Sequence, residues 1–282
     1  TFSYANSVQT LYGNRETSRK NASPKLLSFA PSYQLEEMIQ SQFRGNHSAK
    51  QLPVFNELEW NKKEIGNIRN YYEGDDFASG KAREREFKRL AADYDILHLS
   101  AHAIVDMEDP LNSFIAFSPN ESDTLNDGLL HAFEIYRMNL NAELTILSAC
   151  NTGYGRLFND EGVLSLANAF IYAGCKAVVM SHWSADDEAT SEVMKLFYKY
   201  LSKGMRKDEA LKKAKLDYLK DAGAFKASPA FWNNFTVIGN VSPISQTRIS
   251  FKYLVVSTLL FALLFFSLLY YFIFFSSLLP PP

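Results

Sequence analysis

YDILHLSAH (94–102), AELTILSAC (142–150) and CKAVVMSHW (175–183) decide the fold. Each is a short apolar run ending in small polar or reactive residues. Runs of this length, apolar at nearly every position, suit strands of a parallel sheet covered on both faces. Between and around them lie helical patterns. KAREREFKRLAADY (81–94) is charged outside, with Phe87, Leu90 and Ala91 inside. EGVLSLANAFIYAG (161–174) is apolar almost all round and ends on Gly174, as a buried helix does. DDEATSEVMKLFYKYLSKG (186–204) gathers Val193, Phe197, Tyr200 and Leu201 on one side, and DEALKKAKLDYLK (208–220) adds a further helix. Strands alternating with helices predict an α/β fold with a mostly parallel sheet flanked by helices.

Working outward, KLLSFAP (25–31) predicts a buried strand stopped by Pro31, and a helix is expected over 56–72 with Leu58, Ile65 and Ile68 on one face. Gly74 and the Asp pair after it read as a turn, NSFIAFS (112–118) as a strand ended by Pro119, and NDGLL (126–130) as a turn. HAFEIYRM (131–138) predicts a short helix, and FWNNFTVIGN (231–240) a final edge strand.

The chain has 282 residues, 47% of them hydrophobic, which suffices for one large domain with a full core. Its formal net charge is -2 and no long Lys or Arg run occurs, so there is no electrostatic footprint for nucleic acid. The two cysteines, Cys150 and Cys175, are no disulfide framework and suit a reducing compartment. Residues 1–24 are polar and mixed, and read as a linker or the remnant of an upstream region. Leu254–Phe275 (LVVSTLLFALLFFSLLYYFIFF) carries no charge. As a helix it reaches roughly 33 Å, the thickness of a bilayer's hydrocarbon core. It is expected to be one C-terminal transmembrane helix, preceded by a juxtamembrane linker (241–253) and followed by a short tail (276–282). Arg248 and Lys252 on its N-terminal side predict that the large domain stays in the cytoplasm, on a single-pass membrane anchor.

In open α/β sheets, sites form beyond the carboxyl ends of the strands. Here three such ends carry Ser100-Ala101-His102, Ser148-Ala149-Cys150 and Ser181-His182-Trp183, the last followed by Asp186 and Asp187. A thiol and an imidazole at neighbouring strand ends can work as nucleophile and base. Placement alone leaves Cys150 open between that role and a small core thiol.

ILHLSAHAIVD (96–106), LSACNTGYG (147–155), EGVLSLANAFIYAG, SHWSADDEAT (181–190) and DEALKKAKLDYL resemble, in order and spacing, the CHAT family. The resemblance covers about residues 25–240. It implies a caspase-like cysteine peptidase related to separases, with Cys150 as nucleophile and His102 as general base, and no metal or organic cofactor. It also implies an oxyanion site made of the backbone N–H groups of Cys150 and Ala103, a protein substrate, and an upstream tetratricopeptide-repeat region or activating partner. A bacterial inner membrane is the location it suggests. The family has Gly where this chain has Ala103; a backbone N–H survives that change, but a Gly-only conformation would not. A catalytically inactive signalling or scaffolding module on the same fold is the rival reading.

Other residues have two readings each. Asp186 and Asp187 could cap a helix, with Ser184 and Asp187 as a capping box, or a carboxylate there could pair a basic substrate side chain. Trp183 could floor the same substrate pocket or pack in the core. His98 is expected to be buried and hydrogen-bonded rather than a metal ligand, because i, i+4 histidines suit zinc on a helix and this run is a strand. Cys175 reads as a core thiol.

Overall fold

The computed structural model describes residues 23–33, 55–106, 108–119, 123, 125–148, 161–183, 186–244 and 263–268, with the side chains of 161–165 excepted. The chain divides into two compact units, one made of residues 1–19 and 24–245 and the other of 20–23 and 246–282.

The first unit is built on a six-stranded sheet. In chain order its strands are β1 (Leu26–Ala30), β2 (Gly74–Ala78), β3 (Ile96–Leu99), β7 (Leu144–Leu147), β8 (Ala177–Ser181) and β9 (Phe235–Gly239). They lie side by side as β2-β1-β3-β7-β8-β9, all parallel except the last, which pairs antiparallel with β8. Three further strands, β4 (Ala103–Ile104), β5 (Phe114–Ala116) and β6 (Leu129–His131), form a separate antiparallel sheet. The strand expected over 112–118 is therefore β5, outside the main sheet, and the turn expected over 126–130 runs into β6.

Four of the five parallel strands, β1, β3, β7 and β8, are buried along their whole length. Alternate residues feed two cores. Leu27, Phe29, Leu97, Leu147, Val178 and Met180 face one, which includes Phe87 of α2 (Glu84–Leu90) and Phe170 of α4 (Glu161–Tyr172). Leu26, Ile96, Leu144, Ile146 and Val179 face the other, which includes Ile68 of α1 (Asn61–Ile68) and Phe197 and Tyr198 of α5 (Asp187–Leu201). Ala210 and Leu211 of α6 (Lys207–Asp221) join this second core. Two short helices, α3 (Ala132–Ile135) and α7 (Pro229–Trp232), complete the unit.

The expected turn at Gly74 is instead the edge strand β2, in register with β1 from Leu26↔Gly74 to Ala30↔Ala78. GDDFA looks like a turn because its acids are polar; at a sheet edge the backbone pairs and those acids face water. Gly74 is needed for close approach, since a Cβ there would lie 1.7 Å from the Leu26 carbonyl oxygen. The helix expected over 56–72 is shorter, Asn61–Ile68, and keeps Ile65 and Ile68 buried.

In the second unit, residues 263–268 are helical and Leu263, Leu264, Phe265, Phe266 and Leu268 are exposed. Among the described residues no helix is long and apolar enough to cross a membrane. The rest of the run Leu254–Phe275 lies outside the described residues.

Gly174 closes α4. Its φ is +115°, Cys175 N–H bonds the Phe170 carbonyl at 3.0 Å, and Gly174 N–H bonds that of Ile171 at 3.1 Å. This is a Schellman cap, which needs a left-handed residue. A Cβ at Gly174 would also stand 2.0 Å from the Leu140 carbonyl oxygen. Gly174→Ala is expected to cost about 2 kcal/mol or more of stability, read as a lower urea midpoint with an unchanged slope.

Candidate active site

β1 turns first to β2 on one side, and the chain then crosses to β3 on the other. That reversal opens a crevice at the carboxyl ends of β1 and β3, where an open α/β sheet places its ligands. The two chains leaving these strands meet there. Tyr33 comes from the β1 end and His102 from the β3 end, with ring centroids 4.9 Å apart.

His102 is almost wholly buried, at 1% exposure. Phe55 stacks on it too, with ring centroids 5.1 Å apart and planes tilted by 18°. Its Nε2 lies 2.7 Å from the Asn56 carbonyl oxygen. A carbonyl only accepts, so Nε2 must carry the hydrogen, and in the neutral ring Nδ1 keeps its lone pair. Nδ1 is buried and has no hydrogen-bond partner among the described residues. Burial pushes the His102 pKa down; the Asn56 carbonyl and the Glu57 carboxylate oppose that shift without reversing it. The ring is therefore neutral at pH 7, with one nitrogen anchored and the other able to take a proton.

Tyr33 also organises the backbone. Ala116 N–H bonds the His102 carbonyl at 2.8 Å, as a rung between β4 and β5 should. The matching rung is replaced by the Tyr33 hydroxyl, which accepts from His102 N–H at 3.1 Å and donates to the Ala116 carbonyl at 2.8 Å. Ala103 pairs with Ile115, the next position along this antiparallel ladder. Bonded and non-bonded pairs alternate, so the Ala103 N–H points away from β5, along the open edge of β4. Among the described residues the one non-glycine with positive φ is Ser79. Ala103 thus sits in a conformation that any residue adopts.

Cys150 and Ala149 lie outside the described residues, as do Asn151–Asp160. Ser148, two residues before Cys150, is described and buried. Its hydroxyl donates to Glu64 of α1, which also accepts from His98 Nε2 at 2.8 Å and from the Ser100 hydroxyl at 3.4 Å. His98 Nδ1 is 3.1 Å from the Tyr198 hydroxyl. His98 is thus a buried, hydrogen-bonded residue.

At the end of β8, Asp186 is the cap of α5: its carboxylate accepts from Ala189 N–H at 2.9 Å. Ser184 of the expected capping box lies outside the described residues; a box capped by it would start the helix at 185, whereas α5 starts two residues later, at Asp187, with Asp186 as its cap. Asp187 is half-buried and accepts from the backbone N–H of Glu59, on the segment leading into α1. Its pKa is raised to about 6, first by burial and then by the charges of Glu64, Asp186 and Glu59. Trp183 is partly exposed and fastened to α7, its indole N–H donating to the Ala230 carbonyl at 2.9 Å. His182 Nε2 is 2.8 Å from the Thr236 hydroxyl. Cys175 is fully buried, and burial pushes its thiol up to about 12, as in an inert core thiol. Among the described residues no cluster of His, Cys, Asp and Glu could hold a metal ion.

Sequence reading missed Tyr33, Asn56 and Glu64. Asn56 acts through a main-chain carbonyl, which no side-chain pattern reveals. Glu64 did leave a signal, a carboxylate on the same helix face as Ile65 and Ile68.

A sequence model of the CHAT domain family matches residues 1–240, and the chain belongs to that family. Two curated relatives are tetratricopeptide repeat protein 28 of Mus musculus and of Homo sapiens. Each is 28% identical over 123 residues, which are 44% of this chain and 5% of the relative. This chain therefore spans a small fraction of those relatives' length. Among solved structures, the complex of the pro- and mature domains of Porphyromonas gingivalis RgpB has a TM-score of 0.48 at 9% identity, covering 80% of this chain and 49% of that one. The Saccharomyces cerevisiae separase–securin complex has a TM-score of 0.42 at 11% identity, covering 78% and 12%.

Asp187 yields a pH dependence. Its pKa is raised in the folded state from the ordinary 3.8 to about 6, so the folded chain binds the proton more tightly. That contribution to stability is present below about pH 4 and is lost as pH rises through about 6. Asp187→Asn should melt above the wild type at pH 8, with the gap closing toward pH 4. Thermal melts across that range check it; a gap independent of pH would contradict it.

Proposed function

We propose that this chain is a cysteine endopeptidase in which Cys150 attacks a peptide carbonyl and His102 serves as general base. The observation that carries the reading is the state of His102: neutral, held through Nε2 by the Asn56 carbonyl, with Nδ1 free of partners among the described residues. A buried imidazole with one unsatisfied nitrogen costs stability, and such a cost is typical where a proton must move. Cys150 follows β7, the strand next to β3, so thiol and imidazole leave adjacent strand ends.

In the first step the Cys150 proton passes to His102 Nδ1, sulfur bonds the carbonyl carbon, and the carbonyl electron pair moves onto oxygen. The backbone N–H groups of Ala103 and Cys150 receive that oxyanion. Collapse breaks the C–N bond as the imidazolium protonates the leaving amine. Water, deprotonated by His102, then hydrolyses the thioester and restores the thiol. The extended backbone of Ala103 and its outward N–H support this role, and Gly is not required there.

Asp187, with Asp186 and Trp183 at the margin, would receive the substrate's residue before the cut. A carboxylate among other acids and partly out of water favours a cationic side chain. The relatives are named as tetratricopeptide repeat proteins, which supports an upstream repeat region or partner controlling the site. The peptidase domain is taken as 25–240, and the uncharged run Leu254–Phe275 as a single-pass membrane tether, on bilayer arithmetic.

Digestion of an unbiased peptide library by the wild type should give cuts, with basic residues enriched before them. Cys150→Ala and His102→Ala should each abolish cutting while leaving circular dichroism unchanged. Cutting by Cys150→Ala would exclude the peptidase reading. The tether is tested by vesicle flotation: the full chain should float with liposomes, and a chain ending at Ile244 should stay at the bottom of the gradient.

A further inference from the structure

The described part of the β3–β7 ladder reaches to within a few residues of His102 and Cys150. Among the described residues, Leu99 and Leu147 are its last paired positions between β3 and β7, and the last rung runs from Ser148 N–H to the Leu99 carbonyl at 2.9 Å. The next backbone N–H on the other side, that of Ser100, turns away to the Phe29 carbonyl of β1 at 2.9 Å. In the sequence, His102 and Cys150 each follow two residues after Ser100 and Ser148. Two residues span at most about 7 Å, so the placement of Ser100 and Ser148 limits where His102 and Cys150 can reach.

Past the last rung, both strand ends are tied by one group, the Glu64 carboxyl. It accepts from the Ser148 hydroxyl on the β7 end and from the Ser100 hydroxyl and His98 Nε2 on the β3 side. Glu64, His98, Ser100 and Ser148 are all buried. Position 64 lies in the apolar face of α1, where a leucine would pack without the cost of burying a carboxyl. The same helix and its lead-in hold the His102 ring through Asn56 and Asp187 through Glu59 N–H.

We infer that Glu64 is a positioning residue that sets the spacing between the strand ends carrying His102 and Cys150. The inference rests on the Cys150–His102 reading and adds the element that brings the pair into register. Glu64 acts through its bonds to Ser100, Ser148 and His98 rather than on the His102 ring. It fixes Ser100 and Ser148 relative to each other, while Asn56, on the same helical arm, fixes the ring. Moving α1 together with its lead-in therefore disturbs imidazole orientation and strand spacing together.

The test is the pH profile of Cys150 alkylation by iodoacetamide on the full 282-residue chain, read by peptide mass mapping to separate Cys150 from buried Cys175. A thiol paired with His102 should react with a midpoint well below the ordinary thiol value of about 8.5. Glu64→Gln, nearly isosteric, should raise that midpoint by about one pH unit or more and slow alkylation at pH 6.5 at least about tenfold. Ile68→Val, a buried change on the same helix without polar loss, should lower stability and leave the midpoint in place. If Glu64→Gln does not fold, Ser148→Ala should shift the midpoint in the same direction. A depressed wild-type midpoint that the folded Glu64→Gln variant, or Ser148→Ala in its stead, leaves unchanged overturns the positioning role alone. An ordinary wild-type midpoint overturns the peptidase reading and this inference with it.

Discussion

Burying the carboxyl of Glu64 under the ends of β3 and β7 takes it out of water, at an effective cost of several kcal/mol for an ionised group. Only a full set of donors offsets such a cost. Two serine hydroxyls and the ring of His98 supply it, and His98 is itself held by Tyr198 on α5. One buried group thus joins α1, β3 and β7 directly, and α5 through His98. Apolar packing brings these elements together with little preference for their fine register. The polar cluster does prefer one register, because its hydrogen bonds are directional and a loosened one leaves a buried polar group unsatisfied.

The crevice follows from topology and a few local substitutions. Reversal of strand order beside β1 brings Tyr33 and His102 together. The Tyr33 hydroxyl then does what a backbone rung would have done, taking the His102 N–H and giving its own hydrogen to Ala116. The second sheet is locked to the first at the point where His102 emerges. Asn56 is equally economical: a main-chain carbonyl selects the tautomer, so no acidic side chain is needed beside the ring, and burial keeps it neutral.

Much of this fold was legible. β1, β3, β7 and β8 are continuous apolar runs because parallel strands are covered on both faces. The helices α4, α5 and α6 lie where they were expected, and α5 buries the expected face of Val193, Phe197, Tyr200 and Leu201. GDDFA failed as a turn because pairing with β1, not its own composition, makes it a strand. NSFIAFS was legible as a strand but not as part of a second sheet, since its own residues do not name its neighbours. The helix start implied by the Ser184–Asp187 box was two residues early, within the ordinary uncertainty of a helix start, and Asp186 took the cap.

The sequence by itself determined the α/β class, family membership through its ordered motifs, and which strand ends carry His102 and Cys150. These are properties of local pattern: period, length and residue type along one stretch of chain. Only the tertiary structure decided that His102 is anchored by the Asn56 carbonyl, that Tyr33 completes a ladder between sheets, that Ala103 needs no glycine conformation, and that Glu64 ties two strand ends. Each depends on groups far apart in sequence meeting at hydrogen-bond distance. Such meetings are set by packing of the whole domain, and a linear pattern does not encode them residue by residue.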